Sequence, residues 1–597
     1  MPTYKAPLQD FDFIINNYLK LEQYADVPGF EDITDLAIPL LEEGGKFCEN
    51  VLFPLNMTGD AEGCTYSAGN VTMPKGFKQA YKQYCQSGWP SFTCDPEYGG
   101  QGLPEVMNMP MTEMICSANL SFGLTPGLSH SAYNLMDTYL DDDMKQKYLP
   151  KLISGEWTGV MCLTEPQCGT DLGLIRTTAT PQDDGSFNIE GTKIFISSGE
   201  HDLAENILHL VLAKLPNAPE GVKGISLFLV SKHHVNDNGA LGERNAVTCA
   251  SIEEKMGIHA SSTCVMNYDG ARGFLVGMPH KGLRAMFTMM NAARIYVGVQ
   301  GLGVAEAAYQ SALVYANERI QGRALTGAAQ PDKAADPIIV HPDVRKMLLT
   351  MRAFTQAGRA LVMETALKHD IAHRHPEAET RAEADMFVQL MTPIVKSYLT
   401  DGGTETANLA MQCLGGYGYI KEYGVEQYVR DARIAQIYEG TNGIQAMDLV
   451  GRKLPYKMGA YLASFFHPCQ IFIEAHVNDK AMQEFITPLS THLNYLRKAS
   501  LWLAKEGLGN PNQAAAGATE YLRMFGLVTF AYIWARQAKI AQDTLAQHPD
   551  APRAAFYRDK IDTARFFMQR ILPQTLSLLS MMTHGSDSIM NADLGID

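Results

Sequence analysis

The sequence predicts a mainly α-helical protein with a central antiparallel β-domain, and three observations lead to this prediction. The chain has 597 residues, which is more than a single hydrophobic core normally organises. Apolar residues recur every three or four positions up to about Met161, and again from Gly282 to about Leu454, as in amphipathic helices. Between Cys162 and about Met278 the pattern changes to short β-branched and aromatic runs broken by Gly, Asp and Asn, which is typical of strands and turns.

These changes of period divide the chain into four predicted domains. Residues 1–161 are helical, with apolar spacing in FDFIINNYLKLEQY and MTEMICSANL, and residues 162–278 form a β-barrel-like middle domain. Residues 279–455 contain helical segments long enough for a bundle. Residues 456–597 add a final block of four or so helices, among them EYLRMFGLVTFAYIWARQAKIAQ.

Composition restricts the classes of partner. Lys and Arg number 49 against 65 Asp and Glu, a net charge of −16, which argues against nucleic acid or an anionic membrane as partner. The eleven cysteines include no CxxC pair, so neither a zinc site nor a disulfide framework is predicted, and a reducing cytoplasm is the expected location. No apolar stretch approaches the roughly 20 residues that a membrane-spanning helix needs.

Familiar catalytic motifs are missing from the sequence. It contains no HExxH, GxxxxGK[ST] or GxSxG, which removes the common metalloprotease, phosphate-loop and hydrolase interpretations. The segment GLGVAE at 301–306 ends in Glu where a dinucleotide fingerprint needs Gly, and it follows a helical segment instead of a strand. We interpret its small residues as positions where helices pack closely.

Two segments combine hydroxyls, glycines and acids at predicted element boundaries. They are MCLTEPQCGTD at 161–171 and the stretch from QCLGGYGY at 412–419 to YEGT at 438–441. Glycine-rich turns let backbone amides approach a phosphate or a ring closely, and Thr164 and Thr170 offer hydroxyl donors beside them. The residues alone favour a cofactor loop over an ordinary turn but leave both interpretations open.

At these segments the sequence resembles the acyl-CoA dehydrogenase family, over about residues 75 to 454. The resemblance is carried by CLTEPQCGTD at 162–171, TKIFISSG at 192–199 and QCLGGYGYIKEYGVEQYVRDARIAQIYEGTNGIQ at 412–445. The helical block that follows resembles the long bacterial branch with an extra C-terminal domain. The resemblance implies the acyl-CoA dehydrogenase-like fold of helical domain, β-domain and four-helix bundle, with FAD bound without a Rossmann fold.

The resemblance also implies which residues bind FAD. The contacts implied near the flavin and the adjoining phosphates are Met161, Leu163, Thr164, Thr170, Phe195, Ser197 and Thr441. The contacts implied to the FAD of a neighbouring subunit are Arg319, Gln412, Gly415 and Gly416. Because the second group of residues would bind the FAD of a neighbouring subunit, a homodimer is expected. No metal site is expected.

Glu439 in YEGT matches the family's catalytic base. A carbon acid α to a thioester is weak, so its removal needs a carboxylate against the α-carbon and hydrogen bonds to the carbonyl oxygen. The resemblance implies that Glu439 takes the α-proton while the β-hydride passes to flavin N5, with Gly440 and Thr170 beside the substrate and Asn291 and Arg294 at the CoA portion. It favours this role over the structural alternative, a first-turn charge that stabilises the following helix.

The substrate and the electron acceptor are less sharply defined. Small residues at Gly123, Gly127, Ser129 and Ser131 would leave room for a medium- or long-chain fatty acyl-CoA, with 3-methylmercaptopropionyl-CoA or another short acyl-CoA as the alternative. Electrons are expected to pass to an electron-transfer flavoprotein, the alternative being an oxidase that uses O₂.

A third alternative is a DNA-associated, non-enzymatic relative with a similar flavin fold and an extra C-terminal domain. Residues 456–597 hold 13 Lys and Arg against 12 Asp and Glu, a balance unlike the clustered positive face that binds a phosphate backbone. We therefore expect this block to cover a site or to mediate an interaction between proteins.

Overall fold

The computed structural model describes residues 2–550 and 552–595. The α-helices in these ranges are α1 (Leu8–Asp12), α2 (Ile33–Phe47), α3 (Pro54–Glu62), α4 (Phe77–Gln86), α5 (Glu105–Ala118), α6 (Leu120–Tyr139), α7 (Asp142–Ile153), α8 (Gly282–Glu318), α9 (Pro342–Arg374), α10 (Ala378–Leu414), α11 (Gly416–Tyr419), α12 (Val425–Arg433), α13 (Asn442–Asp448), α14 (Ala460–His476), α15 (Gln483–Gly509), α16 (Pro511–Ala516), α17 (Ala518–Gln547), α18 (Ala554–Phe566), α19 (Gln574–Thr583) and α20 (Asp587–Met590). The strands are β1 (Thr65–Ser67), β2 (Asn70–Thr72), β3 (Trp157–Cys162), β4 (Thr178–Pro181), β5 (Phe187–Ser197), β6 (Asn206–Lys214), β7 (Ile225–Ser231), β8 (His233–Val235), β9 (Leu241–Arg244), β10 (Val247–Ile252) and β11 (Thr263–Val276).

The predicted fold class is confirmed: helices precede and follow a central β-domain, and a further helical block ends the chain. Packing divides the chain into two compact units. The barrel unit comprises residues 46–103 and 114–296, and the bundle unit comprises residues 1–45, 104–113 and 297–597. This division differs from the four sequence segments, so the predicted domain boundaries stay a prediction.

The barrel unit is built around a seven-stranded sheet. Strands β11, β5, β4, β6 and β7 pair in that order, and β7 pairs again with β11, so these five strands close on themselves, while β10 and β3 extend the sheet beside β11 and β6. Each of the five strands in the ring therefore has a neighbour on both sides. Gly270 has φ +75° at a register shift in β11, and this long strand pairs with β5 up to Gly273 and with β7 from Phe274 onward.

Two features of the barrel unit differ from the sequence prediction. Strand β3 pairs with β6 in parallel, Trp157 opposite Asn206, within a sheet predicted to be antiparallel. Strands β1 and β2 form a short hairpin inside the segment predicted to be helical, turning at Ala68 and Gly69, which both have positive φ. Each hairpin strand has three residues, too few for a period of two to emerge from the sequence.

The long helices of the bundle unit approach each other closely. A Cβ added to Gly301 on α8 would lie 2.5 Å from the Leu399 oxygen on α10, and one added to Gly403 would lie 2.4 Å from the Gly301 oxygen. Distances below 3 Å leave no room for a side chain, so these positions bring the α8 and α10 backbones together. The close-packing interpretation of the segment at 301–306 is thereby confirmed.

The C-terminal helical block packs onto α9 and α10. The Trp534 indole N–H on α17 donates to the Ala353 oxygen on α9 at 3.1 Å. The rings of Phe530 and Tyr398 meet edge to face, with centroids 4.9 Å apart. A Cβ on Gly526 would lie 2.4 Å from the Tyr398 ring. The side chains of α17 therefore pack closely against those of α10.

A buried cluster of charges joins five helices of the bundle unit. Arg359 on α9, 1% exposed, donates to Glu113 on α5 (Nε–Oε1 2.9 Å), to Glu306 on α8 (Nη2–Oε2 2.9 Å) and to Asp10 on α1. Lys560 on α18, also 1% exposed, donates to Asp10. Three carboxylates thus face two cations. We call these five residues the Arg359 network.

Within the Arg359 network, Glu113 has a pKa that is shifted mainly by its burial. Burial raises the pKa of Glu113 from 4.5 to about 7, against the opposing effect of Arg359. A raised native-state pKa means that the native state binds this proton more tightly than the unfolded state does. The stabilisation from this group is therefore complete below about pH 4.5 and is lost as the pH rises through about 7.

We expect Glu113→Gln, which keeps a neutral side chain at every pH, to reduce this dependence. Relative to the variant, the wild type should lose up to about 3 kcal/mol of unfolding free energy between about pH 5 and about pH 8. Urea unfolding at both pH values measures this change. Glu379→Gln, at an exposed position, is the control. Parallel pH profiles for wild type and Glu113→Gln would contradict the expectation.

Candidate functional site

In the barrel unit, the segment after β3 lies beside β5. The Ile194 N–H donates to the Thr164 oxygen at 2.9 Å, and the Lys193 ammonium donates to the Leu163 oxygen at 3.1 Å. Met161 is buried, whereas Leu163 and Thr164 are half-buried. Two of the three sequence motifs are therefore brought together through their backbones.

Glu165 organises the turn that follows. Its carboxylate accepts hydrogen bonds from Lys193 Nζ (2.8 Å), Thr177 Oγ1 (2.6 Å) and the Arg176 N–H (2.7 Å), and Glu165 and Cys168 exchange two backbone hydrogen bonds. Burial alone would raise the pKa of Glu165, but the Lys193 charge and these hydrogen bonds lower it to about 2. An ionised buried pair therefore fixes the turn that carries the first motif.

Phe195 and Ser197 lie at the end of β5. The register between β5 and β11 shifts between the pairs Cys264–Ile196 and Met266–Lys193, and Phe195, inside this bulge, has φ +57° and an exposed ring (59%). A positive φ is an outlier for an aromatic residue, and bulges redirect side chains near functional sites. Thr170 lies beyond the Glu165–Cys168 turn and is exposed.

Asn291 and Arg294 lie together on the first part of α8. Arg294 Nη1 and Asn291 Oδ1 are 3.4 Å apart, and the guanidinium carbon lies 6.0 Å from the centre of the Phe287 ring. Arg294 is 5% exposed and Asn291 is half-buried. The structure pairs these two predicted CoA contacts within one helix turn.

In the bundle unit, Glu439 lies in a strained turn just before α13. Its φ is +56° and that of Gly440 is +80°. On one side of the turn, the Tyr438 hydroxyl donates to Gln300 Oε1 on α8 at 2.5 Å. On the other side, the fully buried Gln445 donates from Nε2 to the Glu439 and Gly440 oxygens, both at 3.1 Å. The left-handed backbone of Glu439 is therefore held from both sides.

Helix α13 begins at Asn442, directly after the Glu439 turn. The Thr441 hydroxyl donates to the Gln436 oxygen at 3.3 Å and does not cap the helix through its side chain. Asn442 instead fixes this turn, accepting from Lys396 Nζ at 2.7 Å and donating to Asp401 Oδ1 at 2.7 Å. The turn with Glu439 is thereby attached to α10.

The predicted contacts to a neighbour's FAD line one cleft of the bundle unit, with a volume of about 450 Å³. Its lining residues are Tyr315, Arg319, Gln321, Ile338, Gln412, Cys413, Leu414, Gly415, Gly416, Tyr417 and Ile420. The Arg319 guanidinium lies 5.4 Å from the centre of the Tyr417 ring, and no carboxylate of residues 2–550 and 552–595 forms an ion pair with it. A cation without an acidic partner beside glycine backbone suits a phosphate group.

Sequence reasoning missed several residues that support these sites. Lys193 and Glu165 lie within the quoted motifs, and a lysine among apolar strand residues already indicates a buried ion pair. Gln445 and Asn442 were taken only as part of the third motif. Over the described chain, no three His, Cys, Asp or Glu side chains are grouped to hold a metal ion. Among the same residues, no helix combines the length and apolar character needed to cross a membrane.

Comparisons with known proteins follow the same order of domains. Family models match the acyl-CoA dehydrogenase N-terminal domain at residues 45–156, the middle domain at 160–271 and the C-terminal domain at 280–454, and an acetyl-CoA dehydrogenase C-terminal-like domain at 465–593. The 3-methylmercaptopropionyl-CoA dehydrogenase of Ruegeria pomeroyi is 44% identical to this chain over 99% of this chain and 100% of the relative. The chain belongs to the acyl-CoA dehydrogenase family.

Two further relatives agree with this membership. A butyryl-CoA dehydrogenase of Syntrophomonas wolfei is 34% identical over 97% of each chain. The acyl-CoA dehydrogenase of Bacillus anthracis, solved with FAD, superimposes with a TM-score of 0.72 over 94% of this chain and 93% of that chain, at 21% identity, and so shows the shared fold. As a member of this family the chain is an FAD-dependent oxidoreductase, and the resemblance stated from its motifs is confirmed.

Proposed function

We propose that this protein oxidises a saturated acyl-CoA to the trans-2-enoyl-CoA, with Glu439 as the base that removes the α-proton. The observation that carries the proposal is the left-handed backbone of Glu439, held by Tyr438 and Gln445. For an L-residue this conformation costs roughly 1–2 kcal/mol, and such strain collects where a side chain must point in one direction. When bound, FAD supplies the acceptor for the β-hydride.

The residues present fit FAD in two places. In the barrel unit, Leu163, Thr164, Phe195 and Ser197 would hold the flavin end, because the backbone between the first two motifs is fixed and the Phe195 ring is exposed. In the bundle unit, the cleft of Arg319 and Gln412 would hold the phosphates of a second subunit's FAD. We therefore propose a homodimer in which each subunit completes the other's cofactor site.

The acyl chain is proposed to be short and linear. Helix α6 was expected to leave a long slot, but Gly123 packs against Ile115, where an added Cβ would lie 3.1 Å away, and the Ser129 hydroxyl accepts from the Gly159 N–H at 3.2 Å. Of the two glycines, only Gly127 keeps open space for a Cβ and supports a medium- or long-chain acyl group. The relatives' substrates, 3-methylmercaptopropionyl-CoA and butyryl-CoA, are short.

A series of acyl-CoAs tests this proposal. The FAD-loaded enzyme is titrated anaerobically with butyryl-, 3-methylmercaptopropionyl-, octanoyl- and palmitoyl-CoA while the flavin absorbance is recorded. We expect the first two to bleach the flavin with the highest kcat/KM. Preference for octanoyl- or palmitoyl-CoA would reverse the chain-length proposal, and a flavin that no acyl-CoA bleaches would contradict the dehydrogenase activity itself.

Electron acceptors are compared in the same preparation. We propose that an electron-transfer flavoprotein, and not O₂, reoxidises the reduced enzyme. Turnover with a purified electron-transfer flavoprotein or a dye should exceed peroxide formation in air by a large factor. Equal rates would identify an oxidase.

Arg319→Met tests the proposed phosphate cleft. A charge-assisted hydrogen bond contributes roughly 1.5–3 kcal/mol, so we expect the Kd of FAD to rise about ten- to a hundredfold. Fluorescence titration of the apoprotein with FAD measures it, and exposed Arg345→Met is the matched control. If both variants bind FAD like the wild type, this cleft does not contact the cofactor.

Gln445→Leu tests the support of the Glu439 turn. Because the two carbonyl oxygens lose their donor, the turn should relax from its left-handed conformation, and we expect kcat to fall about ten- to a hundredfold. KM and FAD content should change little, which separates this positioning role from general damage. Gln542→Leu, which removes a donor to the Ala481 oxygen in the C-terminal block, should leave kcat unchanged. An unaltered kcat in Gln445→Leu would refute the positioning role.

A further inference from the structure

A second cavity lies between the bundle helices and the C-terminal helical block. Its volume is about 230 Å³, and its walls come from α9, α10 and α13 on one side and from α17, the turn after α18 and the start of α19 on the other. All of these elements belong to the bundle unit. None of its lining residues belongs to the Arg319 cleft or to the flavin segments of the barrel unit.

Most of the wall of this cavity is apolar. It is lined by Phe354, Leu527, Phe530, Phe567 and Ile571, together with the Tyr398 ring. Phe354 and Phe530 lie with ring centroids 5.9 Å apart. The Tyr398 hydroxyl has no hydrogen-bond partner among residues 2–550 and 552–595, so one donor inside the cavity is available to a ligand.

The mouth of the cavity carries an excess of available positive charge. Two carboxylates reach the cavity, and both are satisfied: Glu405 by Arg523, with Nη1–Oε1 2.6 Å, and Asp401 by Gln436 and Asn442. Lys346 and Arg570 are exposed, line the same cavity and form no ion pair within the described part of the chain. The cavity is therefore lined by three cations and two carboxylates, a net charge of +1, and Lys346 and Arg570 are the two cations among them without an ion pair in the described ranges.

We propose that this cavity binds a small amphipathic carboxylate, with its hydrocarbon chain inside and its carboxylate between Lys346 and Arg570. A heavy atom of such a ligand needs about the volume of a water molecule, roughly 30 Å³, so the cavity holds about eight of them. That number corresponds to a fatty acid of about six carbons. Apolar walls with a few polar groups at one end are the usual composition of small-molecule sites.

One wall of the cavity connects a bound ligand to the Glu439 turn. Asn442 and Ala446 of α13 line the cavity, and Gln445 of the same helix holds the Glu439 and Gly440 oxygens. An occupied cavity would brace α13 from the side of the C-terminal block. The site would then act as an effector site, a consequence that rests on the proposed role of Glu439, whereas binding itself does not.

Isothermal titration of the FAD-loaded enzyme with hexanoate tests the site. Saturating trans-2-hexenoyl-CoA is present throughout, because it fills the acyl slot and leaves this cavity as the measured site. We expect hexanoate to bind and 1-hexanol, which lacks the charge, to bind at least several-fold more weakly. Lys346→Ala and Arg570→Ala should each weaken hexanoate binding up to about fivefold, and the double variant by about tenfold or more.

Arg558→Ala, at an exposed arginine of α18, is the matched control and should bind hexanoate like the wild type. Thr350→Phe, which fills the cavity from α9, should abolish binding. The absence of hexanoate binding to the wild type would overturn the proposal, and so would binding that the double variant leaves unchanged. Flavin bleaching by acyl-CoA is measured in parallel, so that failure of this proposal is distinguished from failure of the dehydrogenase proposal.

Discussion

Glu439→Gln is expected to lower the rate of flavin reduction by an acyl-CoA about a thousandfold or more. General bases contribute roughly 10²- to 10⁴-fold, and the amide that replaces the carboxylate has no basicity to remove a carbon-bound proton. The substitution preserves the size of the side chain and the hydrogen bonds from Gln445 to the backbone of the turn. FAD content and stability should therefore remain close to those of the wild type.

Anaerobic stopped-flow absorbance measures the rate of bleaching, and the spectral shift caused by a trans-2-enoyl-CoA reports whether ligand still binds. Glu422→Gln, at an exposed glutamate of the same sequence motif, is the control and should bleach at the wild-type rate. If Glu439→Gln also bleached at that rate, another residue would have to be the base, although the family and the fold would stand.

Arg359→Met is expected to lower the free energy of unfolding by about 3–5 kcal/mol. Removing the central cation leaves Asp10, Glu113 and Glu306 buried with Lys560 alone, and an uncompensated buried charge costs about this much. Methionine fills much of the volume of the arginine, so the effect comes mainly from charge and not from a cavity.

Urea unfolding followed by circular dichroism measures this loss at neutral pH. Arg345→Met, on the exposed side of the same helix, should change the unfolding free energy by less than about 0.5 kcal/mol. Adding Glu113→Gln to Arg359→Met should recover part of the loss, because one buried negative charge disappears with it. Equal stabilities of the Arg359 and Arg345 variants would show that the network contributes nothing.

Much of the architecture was predictable because the spacing of apolar residues along the chain indicates helices and strands locally. The change from helical spacing to short strands near Cys162, and back near Gly282, depends only on neighbouring residues, and the structure has its main strands between Trp157 and Val276. The family resemblance likewise implied that Arg319, Gln412 and the two glycines contact one cofactor, and these four residues line one cleft. Residues close in the chain or fixed by family motifs are within reach of sequence reasoning.

The parts that escaped prediction depend on contacts between distant residues. The parallel pairing of β3 with β6 and the positive φ of Phe195 depend on how separate strands pair with each other, and no local pattern encodes them. The partners of Arg359 are 53 to 349 positions away, so their charges look like ordinary surface residues in the sequence. Gln445 was overlooked because a buried amide becomes visible only when its two acceptors are known.

The Arg359 network also has a consequence for biosynthesis. Asp10 and Lys560 are separated by 550 residues, so during synthesis the helix that carries Asp10 must wait for the helix that carries Lys560 before this ion pair can form. Contacts between such distant positions form late, and chains whose apolar surfaces stay exposed in the meantime tend to associate with each other. A fragment ending near residue 455 would lack Lys560 and therefore the ion pair with Asp10. Its yield would depend on chaperones more strongly than the yield of the 597-residue chain.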